Sequence, residues 1–328
     1  MRKKKNTVVL ALALASTALV TLSACSVPGE GTTSTSASKN TLLGIVTISA
    51  TDSNNARVIQ GATAAAKAAG WKVEVVDAAG SADQANTAMT NFVSKGAGMI
   101  FDLVFPATSL GAGLSAARNA GVPVATWGGG LATGVAMTTG DGAPFAEPST
   151  KKLISDLAGG GSVLALTYRT GQVCRDRETL FDKMLASHPD ITVSKNEVNI
   201  PGFLQDGSKY ATAWLAGHPE GSGKLAIWGC WEDPTLGAIS ALKQLGRTDV
   251  LTYGINGSST AIKAVQDGTL TSTVYEDGVK EGKTMFSTTQ KAIKAGSGWK
   301  PKAVEVPGVL VTADNVAAFV ASHPEALK

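Results

Sequence analysis

The sequence predicts an α/β protein built from two doubly wound, parallel-sheet lobes. From Thr41 onward, short apolar runs alternate with segments of helical periodicity, and this alternation is typical of parallel sheets with helices on both faces. The apolar runs are bounded by Gly or Pro, as expected for strands buried on both faces. The alternation passes through two similar cycles without repeated sequence, and therefore indicates two lobes facing each other across a cleft.

The first cycle contains four predicted strands and three predicted helices. The strands cover 42–48, 73–76, 99–104 and 122–127, and the helices cover 54–69, 81–95 and 108–120. Ser81 is the predicted cap of the second helix, because a serine side chain can accept a hydrogen bond from an unpaired backbone N–H of the first turn.

The second cycle follows a helix predicted over 145–157. Its strands are predicted over 162–167, 193–198, 225–228, 250–255 and 270–275, and its helices over 175–187, 206–216, 235–245 and 259–267. A helix over 279–295 and a strand over 304–312 complete the chain. Ligands of open α/β sheets bind beyond the carboxyl ends of the strands. That rule points to the residues after Ile48, Val104, Val124, Tyr168, Trp228, Ile255 and Val274.

The amino terminus has the pattern of an export signal. Four basic residues at 2–5 precede an apolar stretch over 8–20, which is too short to span a membrane. The following Leu-Ser-Ala-Cys resembles the lipobox of bacterial lipoproteins, which implies cleavage before Cys25 and lipid attachment to its sulfur. The alternative is an ordinary signal peptide over 1–25 with an incidental cysteine. Residues 26–40, rich in Ser, Thr and Gly, are predicted to be a flexible tether.

The charge balance argues against a nucleic-acid partner. Four of the 29 basic residues lie in the predicted signal, which leaves 25 basic against 26 acidic residues and a net charge of about −1. All three histidines precede proline near the ends of helical segments and are interpreted as structural or exposed. No metal site, cofactor or histidine-based catalysis is expected. Cys174 and Cys230 remain as a pair, either disulfide-bonded or free.

Several local motifs, in a shared order, resemble the ribose-binding-like substrate-binding proteins of ABC importers, which have the type I periplasmic binding fold. The matching segments cover nearly the whole chain after the tether. They are 43–46 with Gln60-Gly61, 120–124, 174–177 with Phe181, 236–239, 254–257 and 267–274.

The resemblance implies a receptor whose two lobes close on a small ligand by hinge motion. The chain crosses between lobes three times in this family. By that pattern the first lobe is 41–139 plus 277–303, and the second lobe is 140–276 plus 304–328.

The family pattern also implies ligand-binding positions. Arg175 matches the ligand-binding arginine, a planar donor suited to hydroxyl pairs or a carboxylate. Asn256 falls where the family commonly has an acidic ligand residue, and Glu276 where it often has Gln or another polar residue. Asp52 falls at the polar position after the first strand, with Asn54 close behind it.

The sequence departs from the sugar binders of the family in its aromatic residues. Residues 52–55 contain no ring, although sugar binders often have one there, and Thr108 replaces an expected acidic residue. Trp127 and Trp231 stand where the family often has an Asp-Arg pair and an Asn-Asp pair. We expect the stacking surface to have moved to these two indoles.

In the implied fold, Cys174 and Cys230 lie on adjacent strand-end loops of the second lobe, so we expect a disulfide between them. No Cys-x-x-Cys spacing supports redox chemistry. Trp228 is assigned to the core and Trp231 to the cleft. The turn 227–235 then holds one indole toward the ligand.

The predicted function is a monomeric, extracytoplasmic, lipid-anchored receptor that delivers a small polar ligand, a sugar or polyol, to an ABC permease. One alternative is a receptor for a nucleoside or another ring compound, and a second is a ligand sensor. A third is a hydrolase with Asp52 and Glu276 as paired carboxylates, although no nucleophile–base signature is present. The chain is therefore not expected to be an enzyme.

Overall fold

The computed structural model describes residues 40–140 and 142–327 of the chain. The predicted signal peptide over 1–25, its lipidation site Cys25 and nearly all of the 26–40 tether lie outside those residues. Among the helices of the described residues, none has the length and apolarity needed to cross a membrane.

The first lobe is a six-stranded parallel sheet with helices on both faces. Its strand order is β11-β5-β4-β3-β1-β2. The strands are β1 (Leu42–Thr47), β2 (Lys72–Asp77), β3 (Met99–Leu103), β4 (Val124–Trp127), β5 (Val135–Thr139) and β11 (Lys302–Ala303). The helices of this lobe are α1 (Ser53–Ala68), α2 (Ala82–Ser94), α3 (Gly111–Asn119) and α9 (Gly278–Ala295). Helices α1 and α9 pack on each other, as do α2 and α3.

The second lobe is another six-stranded sheet, with one antiparallel edge strand. Its order is β12-β10-β9-β8-β6-β7, in which only β12 runs antiparallel to its neighbour. The strands are β6 (Gly161–Thr167), β7 (Ile191–Glu197), β8 (Leu225–Gly229), β9 (Val250–Tyr253), β10 (Ser272–Tyr275) and β12 (Val309–Thr312). The helices are α4 (Gly142–Asp156), α5 (Gln172–Leu185), α6 (Phe203–Ala216), α7 (Glu232–Gln244), α8 (Ser259–Gln266) and α10 (Val316–Ser322).

The predicted α/β fold with two lobes is confirmed. Strands and helices alternate along the chain, and the strands form two separate six-stranded sheets. The chain passes from one sheet to the other between β5 and β6, between β10 and α9, and between β11 and β12. Each lobe is therefore assembled from distant parts of the sequence. The residue-level lobe boundaries stay a prediction.

Two details of the predicted strands are wrong. Strand β5 was not expected, because Ala, Met and Thr follow a glycine-rich segment there without an alternating pattern. The single strand expected over 304–312 is instead two short strands in different sheets, β11 and β12. Pro307 and Gly308 lie between them, and a proline without a backbone donor interrupts strand pairing where the chain changes lobe.

Helices α1 and α9 approach closely through two glycines. A Cβ atom on Gly61 would lie 2.0 Å from the Val279 carbonyl oxygen, and one on Gly282 would lie 2.0 Å from the Val58 carbonyl oxygen. These contacts are with backbone, so a side chain at either position forces the helices apart. Helix α9 begins where the chain crosses from the second lobe to the first. The close packing at the two glycines therefore also fixes the position of this crossing relative to α1.

We expect Gly282→Ala to lower the free energy of unfolding by about 1–3 kcal/mol, since the added methyl group overpacks the α1–α9 contact. Urea denaturation measures the change. Gly111→Ala is the control, because a Cβ there meets no atom within 4 Å, and its effect should stay within about 0.5 kcal/mol. Equal stability of the two variants would contradict this account of the helix contact.

Candidate ligand-binding site

A small cavity lies between the two lobes, where the carboxyl ends of their strands face each other. It encloses about 40 Å³. Both lobes contribute to its wall, through the end of β4 and the segments that follow β1 and β3 in the first lobe, and through the segments that follow β6, β7, β8 and β9 in the second. The polar and aromatic lining residues are Asp52, Asn55, Trp127, Tyr168, Arg177, Trp231 and Asn256.

Arg177 is the central charged group of this wall. Its side chain is 1% exposed, and three of its N–H donors are satisfied within the second lobe and the crossing that follows. Nη1 donates to the Cys230 carbonyl oxygen (2.9 Å) and to Asn256 Oδ1 (3.0 Å), while Nη2 donates to Glu276 Oε2 (3.1 Å). Arg177 Nε is buried and has no hydrogen-bond partner in the described structure.

Glu276 ties the second lobe to the first. It is fully buried at the end of β10, and its Oε2 also accepts a hydrogen bond from Asn54 Nδ2 of α1 at 3.0 Å. Burial raises the pKa of Glu276, while the Arg177 guanidinium acts in the opposite direction. The carboxylate is therefore held by one charged and one neutral donor, from different lobes.

A second buried carboxyl group belongs to Glu281, in the first turn of α9, and it lies beside the Glu276 carboxyl group. Trp127 Nε1 donates to Glu281 Oε2 at 2.7 Å. Burial, and next the neighbouring Glu276, raise the pKa of Glu281 well above its usual value. Of the two carboxyl groups, Glu281 is therefore the one whose neutral form its surroundings favour more.

The start of α1 supplies the first lobe's polar groups. Asp52 is the N-cap, and its Oδ1 accepts from the backbone N–H of Asn54 (3.0 Å) and Asn55 (2.8 Å). Asn55 Nδ2 donates to the Ser49 carbonyl oxygen at 2.9 Å, but Asn55 Oδ1 is buried without a partner among the described atoms. Burial raises the pKa of Asp52, opposed by its two backbone donors.

Asn256 is held in a conformation that few side chains tolerate. Its φ is +115°, and asparagine is one of the few non-glycine residues enriched at positive φ. Its carbonyl oxygen accepts from Arg57 Nη2 of the first lobe at 2.5 Å, while its side-chain oxygen accepts from Arg177. The unusual backbone thus lets one residue bond to arginines of both lobes.

A disulfide joins two parts of the cavity wall. Cys174 in α5 and Cys230 after β8 form a disulfide, as predicted, and lie 56 residues apart in the sequence. A covalent loop of this length stabilises the fold by about 4 kcal/mol in the chain-entropy account. The bond connects the helix that carries Arg177 to the turn that carries Trp231.

The two tryptophans of that turn have different surroundings. Trp228 is fully buried and stacks on Phe181 with ring centroids 4.3 Å apart, so it belongs to the core as expected. Trp231 lines the cavity and meets Tyr168 and Phe203 edge to face, at 6.1 and 5.7 Å. Its indole is therefore oriented by two other rings.

The structure brings most of the predicted site residues together. Those that line the cavity are Asp52, Trp127, Trp231 and Asn256, and Asn54 and Glu276 bond to each other behind it. Thr108 lies elsewhere: it is exposed and lines a separate groove with Gly128–Gly130.

Arg175 also lies outside the cavity lining, whereas Arg177 lines it. Arg175 Nη2 donates to Gln172 Oε1 within its own helix. Residues two apart on a helix are rotated by about 200°, so only one of the two arginines can face the cleft. The helix was expected to begin at 175, whereas α5 begins at Gln172, and the sequence did not show which side faces inward.

Sequence reasoning missed four further residues: Asn55, Arg57, Tyr168 and Arg177. Asn55 and Arg177 stand inside motifs that were recognised, one or two positions from the residues chosen. Arg57 follows on α1, and only its bonds to Asn256 and Gly257 in the other lobe mark it. Within 40–140 and 142–327, no cluster of three or more His, Cys, Asp or Glu residues could hold a metal ion.

Comparisons with known proteins agree with this geometry. A family model described as periplasmic binding protein domain matches residues 43–297. A xylitol-binding protein of Mycolicibacterium smegmatis is 27% identical over 239 residues, which cover 69% of this chain and 64% of that protein. The chain thus spans a little less than two thirds of that curated relative's length.

Solved structures share the fold. An ABC transporter solute-binding protein from Agrobacterium vitis, with bound allitol, has a TM-score of 0.78 and 24% identity, covering 87% of this chain and 99% of that one. One from Mycobacterium smegmatis, with bound glycerol, has a TM-score of 0.76 and 23% identity, covering 85% and 96%. At these identities the likeness establishes the architecture.

We expect Arg177→Met to lower the free energy of unfolding by about 3–5 kcal/mol at neutral pH, because Glu276 is then buried without its counter-ion. Arg175→Met makes the same chemical change two residues away, at a partly exposed site, and should cost less than about 1 kcal/mol. Chemical denaturation of both variants measures the difference. Similar losses at the two positions would show that Arg177 is not the charge on which the wall depends.

Proposed function

The chain belongs to the periplasmic binding protein domain family, and from this premise we propose that it is an extracytoplasmic receptor that binds a neutral sugar or polyol and delivers it to an ABC permease. Binding proceeds by closure of the two lobes over the ligand, through movement at the three crossings. We further propose that the receptor is a monomer anchored through lipid on Cys25, a role supported by the lipobox-like sequence before it.

The observation that carries the proposed ligand class is a set of three unsatisfied polar atoms on cavity-lining residues. Among the described atoms, Arg177 Nε and Trp231 Nε1 are buried donors without an acceptor, and Asn55 Oδ1 is a buried acceptor without a donor. A hydroxyl group is both acceptor and donor, so a polyhydroxylated ligand can satisfy atoms of both kinds. Leaving such atoms unpaired after closure costs about 1–3 kcal/mol each, which makes the site selective for ligands that complete them.

The charges favour a neutral ligand. Arg177 is already paired with Glu276, and the Asp52 carboxyl group also lines the cavity. A carboxylated sugar would therefore meet a negative group without a free cation to compensate. Trp231, Trp127 and Tyr168 provide the apolar wall for the C–H faces of the ligand.

The same contacts argue against the hydrolase alternative. Paired catalytic carboxylates must both reach the substrate, with unequal environments. Glu276 instead accepts from Arg177 and Asn54 behind the cavity wall, so it is not paired with Asp52 across a ligand.

A ligand panel tests the function. Xylitol, allitol, myo-inositol, glycerol and ribose are compared with gluconate and a nucleoside by thermal unfolding of the purified protein. A neutral polyol at 100 times its Kd should add about 2.7 kcal/mol of stability. Stabilisation by gluconate alone would contradict the charge argument, and stabilisation by the nucleoside alone would support the ring-compound receptor. Product formation during incubation would support an enzyme.

We expect Trp231→Ala to weaken binding of the stabilising polyol at least tenfold, because it removes an oriented apolar wall of the cavity. Titration calorimetry measures the Kd. Trp299→Ala is the matched control, since its indole donates to the Ala136 carbonyl oxygen and does not line the cavity. An unchanged Kd in Trp231→Ala would sink the proposed role of this ring.

A further inference from the structure

The indole of Trp127 lies between the cavity and the first crossing of the chain. Trp127 is the last residue of β4, is 2% exposed and lines the cavity. Its N–H end lies against Gly140, where a Cβ atom would be 2.5 Å from Trp127 Nε1. Gly140 follows β5, at the crossing that leads into α4 of the second lobe. Because the ring is part of the wall, its orientation sets the shape of this side of the cavity.

The second lobe reaches the same place through Val173 of α5. Val173 belongs to the same apolar cluster as Trp127 and also lines the cavity. A Cβ atom on Gly128, the residue after Trp127, would lie 2.0 Å from Val173 Cγ2. The three residues that follow Trp127 are glycines and have no side chains that could hold the ring. The orientation of the indole therefore depends on contacts from other elements.

Glu281 supplies the hydrogen bond that fixes the ring. Its Oε2 accepts from Trp127 Nε1 at 2.7 Å, and its side chain is fully buried in the first turn of α9. An indole N–H is a donor only, so this bond satisfies the polar end of the ring. A rotation of the indole away from Glu281 would leave a buried donor without its acceptor, which costs free energy.

Packing alone does not explain a carboxyl group at position 281. Glu281 Oε1 is buried and has no hydrogen-bond partner among the described atoms. Met285 and Phe286, which follow on α9, belong to the apolar cluster that contains Trp127. Burial of a partly satisfied carboxyl group costs free energy that an apolar side chain of similar size would avoid. The bond to Trp127 is the interaction that an apolar side chain could not replace.

We propose that Glu281 is a positioning residue for the ligand, because it holds the Trp127 indole in the orientation that shapes the cavity. Glu281 is not itself one of the lining residues, so it acts on the ligand through Trp127. The inference rests on the proposed function, since the ligand in question is the neutral polyol. It makes the affinity of the cavity depend on a carboxyl group that the ligand does not touch.

A change at position 281 has two routes to the ligand. One is the Trp127 indole. The other is Glu276, whose carboxyl group lies beside Glu281 and is bonded to Arg177. Removing the indole N–H closes the first route and leaves the second open, so variants of Trp127 distinguish the two.

Titration calorimetry with xylitol as the probe measures the effect of position 281. Glu281→Gln keeps an oxygen acceptor and should leave Kd within about threefold of the unmodified protein. Glu281→Met removes the acceptor and should raise Kd at least about tenfold. Glu220→Met is the matched control, because it makes the same chemical change at an exposed position before β8 and should leave Kd unchanged. An unchanged Kd in Glu281→Met overturns the proposal.

A double variant tests whether Glu281 acts through the ring. Trp127→Phe keeps an aromatic ring but removes the N–H donor, so adding Glu281→Met should change Kd by less than about threefold. Replacing both partners by apolar groups leaves neither of them unpaired, so this pair can be compared even where Glu281→Met alone does not fold. If the double variant binds xylitol at least about tenfold more weakly than Trp127→Phe, Glu281 acts by another route and the proposal is wrong.

A ligand-free measurement separates this failure from failure of the proposed function. If neither xylitol nor another panel polyol binds, the function is wrong, and hydrogen exchange of the Trp127 indole N–H, followed by NMR, tests the positioning itself. Trp127→Phe identifies the signal among those of the six tryptophans. Exchange should be at least about tenfold faster in Glu281→Met than in the unmodified protein and in Glu281→Gln, because the N–H has lost its acceptor. Equal exchange in the three proteins overturns the positioning role.

Discussion

The arrangement of this protein depends on the burial of one guanidinium group. A buried arginine is tolerated only when its charge is paired and its N–H donors find acceptors. Arg177 meets that requirement with the Glu276 carboxylate, the Asn256 amide and the Cys230 carbonyl group. These three partners come from the ends of three neighbouring strands of the second sheet. The requirement thus explains the left-handed backbone of Asn256 and the close approach of the disulfide turn.

The same charge connects the two lobes. Glu276, which is paired with Arg177, also accepts a hydrogen bond from Asn54 in α1 of the first lobe. Arg57 of α1 donates in turn to the carbonyl oxygens of Asn256 and Gly257 in the second lobe. The cavity wall therefore has aromatic side chains facing the cavity, and the hydrogen bonds of Glu276 lie behind them. Among the described residues that line the cavity, the buried atoms left without a partner are Arg177 Nε, Trp231 Nε1 and Asn55 Oδ1.

Much of the fold follows from local pattern. Apolar runs of strand length between amphipathic helices specify parallel sheets, and the described strands agree with those runs at most positions. The exceptions have local causes that a pattern does not reveal. Strand β5 pairs because β4 lies beside it, and the segment over 304–312 divides because the chain changes lobe at Pro307 and Gly308.

The sequence by itself determined the fold class and the position of Trp231 at the end of a strand, since both follow from periodicity. The pairing of Cys174 with Cys230 was implied by the strand order of the family that the sequence resembles, and the structure contains that bond. Only the tertiary structure decided that Arg177 and not Arg175 faces the cavity, because a shift of a few residues in a helix start changes which side chain points inward. It also decided that Glu276 accepts a hydrogen bond from Asn54 of the other lobe. That contact joins residues far apart in the chain, so no local pattern in the sequence reveals it.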